Sequence, residues 1–167
     1  ISIKIAYYFG SMAEDFSQHK ILVVDDEPLL VNLLDMQLQE LGCQVLKASN
    51  GKEALEKLEA NTDVSLIISD IKMPVMDGIT LLKTIRERGS VVPVMFFSAF
   101  GDPLTMRKAW QAGAFDFLEK PVKQEDLLLK VKLALSFGKE FHLDGAMKKK
   151  IEKKSETFAL SKAIVEK

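Results

Sequence analysis

The chain has 167 residues, of which 47% are hydrophobic, enough for one domain with a sizeable core and a tail. Its 23 Lys and Arg residues nearly balance 24 Asp and Glu residues, giving a formal net charge of -1, so no overall field attracts nucleic acid or anionic lipid. The single cysteine, Cys43, excludes an intrachain disulfide and a cysteine-based metal site. No apolar run approaches the roughly 20 residues that cross a bilayer. We therefore expect a soluble, cytoplasmic protein.

The two ends of the chain differ in composition from its middle. Residues 1–19 begin with an apolar run that lacks an evident cleavage site, and Gly10–Met12 resembles an expression-derived remnant before a native initiator. We expect this N-terminal segment to be disordered or expression-derived and to have no function. Residues 139–167 are rich in lysine, with apolar residues at loosely helical spacing. We predict a helical extension or linker there, and a solvated tail remains the alternative.

Five short apolar or β-branched runs begin at residue 20 and alternate with amphipathic stretches, the pattern of parallel strands joined by crossover helices. The predicted strands are Lys20–Asp25, Gln44–Ala48, Val64–Asp70, Val94–Ser98 and Phe115–Glu119. We therefore predict an α/β fold over residues 20–138. It is a doubly wound, flavodoxin-like parallel sheet of order 2-1-3-4-5 with five helices.

Helical periodicity and end signals place the five helices between and after these strands. The first helix is predicted to end at Gly42. It carries leucines at helical spacing, namely Leu29, Leu30, Leu33, Leu34, Leu38 and Leu41. The second is predicted over about Gly51–Ala60 and the third over about Ile79–Arg88. The fourth starts near Pro103, and the fifth begins after Pro121.

Residues with charges or a hydroxyl stand where the predicted strands end. Asp25 and Asp26 end strand one, Asp70 ends strand three, Ser98 ends strand four and Lys120 follows strand five. Parallel strands end at one edge of the sheet, so these side chains should meet there. Three nearby carboxylates need a compensating cation, and all-oxygen ligands select a hard ion, best Mg²⁺. With the positive charge of Lys120, this edge could neutralise a phosphoryl group on a carboxylate.

Four sequence blocks carry a resemblance to a known family. They are Ile21–Glu27 (ILVVDDE), Ile67–Gly78 (IISDIKMPVMDG), Ser98-Ala99 and Ala114–Pro121 (AFDFLEKP). Each block alone is moderately specific, whereas all four in this order and with these separations are very specific. From residue 20 to about residue 137, the chain closely resembles the receiver (CheY-like) domains of bacterial two-component response regulators.

The resemblance implies a phosphoacceptor and a metal site. Asp70 would receive a phosphoryl group from the phosphohistidine of a histidine kinase. Asp25, Asp26, Asp70 and the backbone carbonyl of Lys72 would hold Mg²⁺. Asp77, which stands before a glycine, is predicted to have a structural role instead, because aspartate readily caps a turn.

The resemblance also implies a switch. Lys120 and Ser98 would engage phosphoryl oxygens, and Phe117 would turn its ring inward as the Ser98 hydroxyl moves to the phosphate. Phenylalanine in place of tyrosine at this position removes one hydrogen-bonding option. The Lys120-Pro121 peptide bond is usually cis in this family, a state that proline makes accessible.

These implications describe a phosphoprotein in phosphorelay signal transduction. Its partners would be a cognate histidine kinase or phosphotransfer protein, with an output domain or a homodimer formed through helix four, strand five and helix five. Its chemistry would be limited to its own phosphotransfer and autodephosphorylation, so we do not expect an enzyme. Only about 30 residues follow helix five, too few for a helix-turn-helix domain. We therefore expect no direct binding to nucleic acid and none to membranes.

Several site residues have structural explanations when each is considered alone. Asp26 could cap helix one, Ser98 could be a local turn hydroxyl, Lys120 could be a solvated charge and Phe117 could be a core residue. The convergence of Asp26, Ser98 and Lys120 at one edge favours the functional interpretation, whereas the switch role of Phe117 rests on the resemblance.

Other function classes fit less well. A phosphatase with an aspartate nucleophile would need its nucleophile and acid two residues apart, whereas Asp25 and Asp26 are adjacent. A nucleotide-binding module would need a glycine-rich phosphate loop after a strand, which is missing. A scaffold that works without phosphorylation remains the third alternative.

Overall fold

The computed structural model describes residues 15–99 and 102–141. Five strands and five helices alternate along this part of the chain. The strands are β1 (Lys20–Val24), β2 (Gln44–Ala48), β3 (Val64–Ser69), β4 (Val94–Ser98) and β5 (Asp116–Glu119). The helices are α1 (Pro28–Gln39), α2 (Gly51–Ala60), α3 (Gly78–Glu87), α4 (Pro103–Gln111) and α5 (Gln124–Phe141). Most of the predicted N-terminal segment and of the predicted C-terminal extension lies outside the described residues.

The strands form one parallel sheet of order β2-β1-β3-β4-β5. This order and the five helices confirm the predicted flavodoxin-like architecture. Two strands end one residue earlier than predicted, before Asp25 and before Asp70. Each aspartate still donates its backbone N–H to the neighbouring strand, Asp25 to the Ala48 carbonyl at 3.1 Å and Asp70 to the Val24 carbonyl at 2.8 Å. The two carboxylates are therefore fixed at the sheet edge by the last rungs of the ladder.

Apolar side chains on the two faces of the sheet form two cores. Alternate residues of β1 point to opposite faces, Ile21 and Val23 to one and Leu22 and Val24 to the other. Helices α1 and α5 cover the first face, and helices α2, α3 and α4 cover the second. Buried on both faces, the strands are continuously apolar, as expected of a central parallel sheet.

Helix α1 carries more leucines than its buried side can accommodate. Leu34 and Leu38 lie in the core, whereas Leu29 is 85% exposed and Leu33 is 47% exposed. The periodicity therefore predicted the helix correctly without identifying which of its leucines are buried.

Two helices on the second face begin at an aspartate cap, α3 at Asp77 and α4 at Asp102. Asp77 accepts a hydrogen bond from the Thr80 backbone N–H at 2.7 Å, which confirms its structural role. The alternative that Asp26 caps α1 is wrong, because the cap position is Glu27, which makes no side-chain capping bond. None of the helices in the described part of the chain is long and apolar enough to span a membrane.

Candidate functional site

The carboxyl edge of the sheet holds two buried carboxylates. Asp25 is 2% exposed and Asp70 is 9% exposed; among the described residues, no other acidic or basic residue is buried. Burying a charge is costly unless it is paired or binds a metal. A pair of buried aspartates at one edge therefore marks a site with a chemical purpose.

The structure brings together the three aspartates that the sequence predicts as metal ligands. Asp25, Asp26 and Asp70 each present a carboxylate oxygen, and these atoms all lie within 4.8 Å of one another. Asp26 is exposed, so the cluster opens to solvent on its side. Three oxygen ligands without histidine or thiolate fit a hard divalent ion such as Mg²⁺.

The Lys120 ammonium group reaches into this cluster from the end of β5. Its Nζ lies 2.9 Å from Asp25 Oδ2, 3.5 Å from Asp70 Oδ1 and 3.9 Å from Glu27 Oε1. Nζ also stands 5.1 Å from the centre of the Phe97 ring, whose face favours a cation. The peptide bond that follows Lys120 is cis, as the resemblance implies. Lys120 is therefore a bound, partly buried cation and not a freely solvated charge.

The ionisation of Asp70 and Lys120 reflects this crowding. Burial raises the pKa of the Asp70 carboxyl; the nearby Lys120 charge opposes this rise and the Asp25 charge adds to it. Burial alone would lower the pKa of Lys120, but its hydrogen bond to Asp25 and the charges of Asp70 and Asp25 raise it. Lys120 therefore stays cationic, while Asp70 remains incompletely compensated and would gain from an added cation.

Asp25 is held at both carboxylate oxygens. Oδ1 accepts the Glu27 backbone N–H at 2.8 Å, and Oδ2 accepts a hydrogen bond from Lys120. A metal ion that used Oδ2 would compete with Lys120 for this oxygen. Glu27 is a contributor that the sequence prediction missed, although its position in the Asp-Asp-Glu run was a signal.

The backbone of Asp70 is enclosed by the start of α3. Its carbonyl accepts the Ser69 hydroxyl at 2.8 Å, and a Cβ atom built on Gly78 would lie 2.2 Å from the same carbonyl oxygen. Only glycine can approach so closely, because even a methyl group would overlap. The Asp-Gly pair at the start of α3 therefore has a steric role in seating Asp70.

Ser98 ends β4, at the edge where the acidic cluster lies. Its hydroxyl donates a hydrogen bond to the Ala99 carbonyl at 3.2 Å, while its own carbonyl accepts the Lys120 N–H at 3.0 Å. The hydroxyl is thus half-exposed and engaged only locally, within the turn. The structure shows this local contact, and a part in phosphoryl binding stays a prediction.

Phe117 lies half-buried on β5, between two other aromatic rings. Its ring centre is 5.8 Å from that of Phe96 and 4.9 Å from that of Trp110 on α4. On its carbonyl side it accepts a hydrogen bond from Lys130 of α5, whose ammonium group also lies 3.0 Å from the Asp116 carboxylate. Sequence reasoning missed Lys130, because nothing in its helix signalled a contact with β5.

A cavity of about 550 Å³ opens between β4, α4, β5 and α5. Its lining includes Ser98 and Phe117 from the sheet, Met106 from α4 and Lys130 from α5, with Lys120 at one end. The predicted switch residues and Lys120 therefore border one concave surface made by α4, β5 and α5.

Comparisons with known proteins agree on the family. The model of the response regulator receiver domain matches residues 21–132. The DNA-binding transcriptional regulator NtrC of Escherichia coli is 37% identical over 120 residues, which are 72% of this chain and 25% of NtrC. The transcriptional regulatory protein ResD of Bacillus subtilis is 38% identical over 120 residues, which are 71% of this chain and 49% of ResD. The chain thus spans a quarter to a half of these curated relatives.

Solved structures show the same relationship. A response regulator receiver domain protein from Clostridium thermocellum is 31% identical with a TM-score of 0.69, covering 74% of this chain and 98% of that one. The chemotaxis protein CheY4 of Vibrio cholerae is 31% identical with a TM-score of 0.67, covering 71% and 99%. The fold, the edge at which the acidic residues cluster and these matches agree: the chain belongs to the response regulator receiver domain family.

Proposed function

We propose that Asp70 accepts a phosphoryl group from the phosphohistidine of a histidine kinase or phosphotransfer protein. An Asp70 carboxylate oxygen attacks phosphorus, an O–P bond forms, and the N–P bond to the histidine breaks as that nitrogen takes up a proton. The cluster formed by Lys120 and the carboxylates of Asp25, Asp26 and Asp70 is the observation that carries this proposal. Phosphoryl transfer needs mainly positioning and charge stabilisation, and this edge is built for both.

Asp25, Asp26, Asp70 and the backbone carbonyl of Lys72 would hold Mg²⁺ at this site. A bound Mg²⁺ would offset the negative charge of the carboxylates and of the phosphoryl oxygens. Asp25 contributes an oriented ligand, because Glu27 and Lys120 hold both of its oxygens.

Lys120 would bind a phosphoryl oxygen. Its ammonium lies 3.5 Å from Asp70 Oδ1, so a group attached to this carboxylate would remain within its reach. Ser98 would engage a second phosphoryl oxygen once its hydroxyl leaves the Ala99 carbonyl. The shift of Ser98 would leave room toward which the Phe117 ring moves, and the surface of α4, β5 and α5 would change with it.

The domain would act as a switch and not as an enzyme, with chemistry limited to its own phosphorylation and autodephosphorylation. In a cytoplasmic phosphorelay, residues 20–138 would form the receiver, and residues 1–19 would be an expression-derived segment without a part in its function. Residues 139–167 would be a helical extension that leads to an output domain or supports a homodimer. We expect the receiver itself to bind proteins and neither nucleic acid nor membranes.

Intact-protein mass spectrometry tests this function. The wild-type chain is incubated with acetyl phosphate, with Mg²⁺ or with a chelator, beside the Asp70→Asn variant, whose amide is nearly isosteric but cannot form an acyl phosphate. We expect a mass gain of one phosphoryl group that needs both Mg²⁺ and Asp70. A gain in the variant would show that another residue is the acceptor. No gain in the wild type would favour a scaffold that works without phosphorylation.

A further inference from the structure

The loop between β3 and α3 contains a strained turn beside the proposed site. Val75 has φ of 68°, and no other non-glycine residue of the described part has a positive φ. The Met76 N–H donates a hydrogen bond to the Pro74 carbonyl at 2.7 Å, which closes a three-residue γ-turn around Val75. A β-branched residue disfavours this backbone region. Other contacts must therefore hold the turn in place.

The first residue of α2 supplies such a contact. The Gly51 N–H donates a hydrogen bond to the Met76 carbonyl at 3.1 Å. A Cβ atom built on Gly51 would lie 2.7 Å from Met76 Cγ and 2.9 Å from its Sδ and carbonyl oxygen. The Met76 side chain and main chain thus pack directly on the Gly51 backbone, at a distance that no other residue type permits.

Gly51 is itself fixed by the capping of α2. The Asn50 side chain accepts the Glu53 N–H at 3.0 Å, and Glu53 Oε2 accepts both the N–H and the hydroxyl of Ser49, at 2.8 Å and 2.7 Å. These bonds from Ser49 lower the pKa of Glu53 to about 2, so the capping box stays ionised and closed. The strained turn is therefore anchored to a rigid helix start and not to another mobile loop.

The far end of the loop is closed as well. The Gly78 N–H donates to the Ile71 carbonyl at 2.9 Å, next to Asp70. Lys72 lies between this closure and the anchored turn, so its main chain is restrained from both sides.

We propose that Gly51 and Met76 are positioning residues for the magnesium site. Their contact holds the strained Pro74–Met76 turn and thereby sets the position of the Lys72 main chain beside the carboxylates. This inference rests on the proposed function, since that function assigns the Lys72 carbonyl to Mg²⁺. Residues that orient ligands from outside the coordination sphere commonly set metal affinity, whereas a purely structural contact would affect only folding.

Mg²⁺ titrations followed by amide NMR shifts test the proposal. Gly51→Ala forces the new methyl group against Met76, and we expect the dissociation constant for Mg²⁺ to rise about tenfold. The phosphorylation rate at saturating Mg²⁺ should stay within about twofold of the wild-type rate, because the reacting groups are untouched. In Gly51→Ala/Met76→Ala, the contacts with Cγ and Sδ are gone but the Met76 carbonyl oxygen remains 2.9 Å from the new Cβ. The dissociation constant should therefore recover only in part, to about threefold above the wild-type value.

Gly89→Ala is the matched control. Gly89 has φ of 79° and an added Cβ would meet nothing within 4 Å, so alanine there strains the end of α3 without touching the loop. Its Mg²⁺ affinity should equal that of the wild type. If it fell as much as in Gly51→Ala, loss of global stability would explain both results and the proposal would be wrong.

The remaining outcomes are also decisive. A folded Gly51→Ala protein with wild-type Mg²⁺ affinity would overturn the positioning role while leaving the proposed function intact. A wild-type chain that does not bind Mg²⁺ would overturn both. If Gly51→Ala does not fold, Met76→Ala alone replaces it, with an expected rise in the dissociation constant of about threefold; an unchanged value would reject the proposal.

Discussion

Two groups of carboxylates in this domain face opposite physical conditions. Glu53, Asp77 and Asp102 stand at helix starts, and each accepts a backbone N–H through its side chain. Hydrogen bonds from Thr105 lower the pKa of Asp102, and those from Ser49 lower the pKa of Glu53 to about 2. Asp77 and Asp102 satisfy N–H donors that their helices leave free, and Glu53 binds Ser49 just before α2. All three stabilise the fold.

Asp25 and Asp70, at the sheet edge, are buried, close together and only partly compensated by Lys120. Burial raises the pKa of Asp70, the reverse of the shifts at Asp102 and Glu53. A carboxylate in such a position costs stability and is retained for what it can bind or attack. The contrast separates residues that stabilise the domain from residues that we propose carry its function.

The largest expected difference is between two aspartates of one loop. Asp70→Asn should abolish phosphorylation by acetyl phosphate, because the acceptor oxygen is lost. Asp77→Asn should be phosphorylated at the wild-type rate, since asparagine caps a helix as well as aspartate does. Separation of phosphorylated from unmodified protein on phosphate-affinity gels measures both. If both variants lost phosphorylation equally, the proposed distinction between functional and structural carboxylates would be wrong.

A second comparison concerns two lysines that border the same cavity. Lys120→Ala removes the cation beside Asp70, and we expect phosphorylation to slow by roughly a hundredfold, as when one stabilising donor is lost. Some phosphoprotein should still form, without the change in the surface of α4, β5 and α5. Lys123→Ala removes a charge from the cavity wall but none within the cluster, so its rate should be nearly unchanged. Initial phosphorylation rates measured by mass spectrometry would show whether the reaction needs the positive charge beside Asp70 or any positive charge on the cavity wall.

The sequence predicted which residues form the site but not which contacts they make with one another. Parallel strands with charged ends must converge at one edge, so the neighbourhood of Asp25, Asp70 and Lys120 followed from topology alone. That Lys120 lies closer to Asp25 than to Asp70 depends on side-chain geometry, which no strand pattern contains.

Contacts between distant segments were also beyond sequence reasoning. The packing of Met76 on Gly51 joins α2 to the β3–α3 loop, next to the positive φ of Val75. The sequence does not indicate the turn, because valine disfavours the backbone conformation that Val75 adopts. The exposure of Leu29 was equally hidden, since helical spacing cannot say which side of a leucine-rich helix packs on the sheet.

Stability measurements should show opposite signs for the two groups of carboxylates. Asp102→Ala removes the bonds from the Thr105 N–H and hydroxyl and should lower the free energy of unfolding, because the cap of α4 is lost. Asp70→Asn, measured with a chelator present, should raise it by about 1 kcal/mol, because a crowded buried charge is removed. Urea denaturation followed by circular dichroism gives both values. A destabilised Asp70→Asn protein would mean that the ion pair with Lys120 outweighs the burial cost.

The smallest expected effect is the dependence of these differences on pH. The pKa of Glu53 is lowered in the native state, so the unfolded state binds more protons at this carboxyl between about pH 2 and its ordinary pKa of 4.5. Its contribution to stability is complete above that range and declines as the pH falls through it. The pKa of Asp70 is raised in the native state, so above pH 3.8 the native state binds more protons at this carboxyl than the unfolded state does. Its ionisation therefore lowers the free energy of unfolding as the pH rises from 3.8 through the raised pKa.

Glu53→Gln keeps the capping geometry but removes the charge, and we expect a loss of about 0.5 kcal/mol near pH 7 that shrinks toward pH 3. The gain in Asp70→Asn should also shrink toward pH 3, because the wild-type carboxyl becomes protonated there and its charge no longer costs stability. Urea titrations of both variants and the wild type, in chelator across this range, measure the two differences. Both should approach zero at low pH from opposite sides, and differences of the same sign would mean that Asp70 is stabilised by its neighbours as the cap carboxylates are.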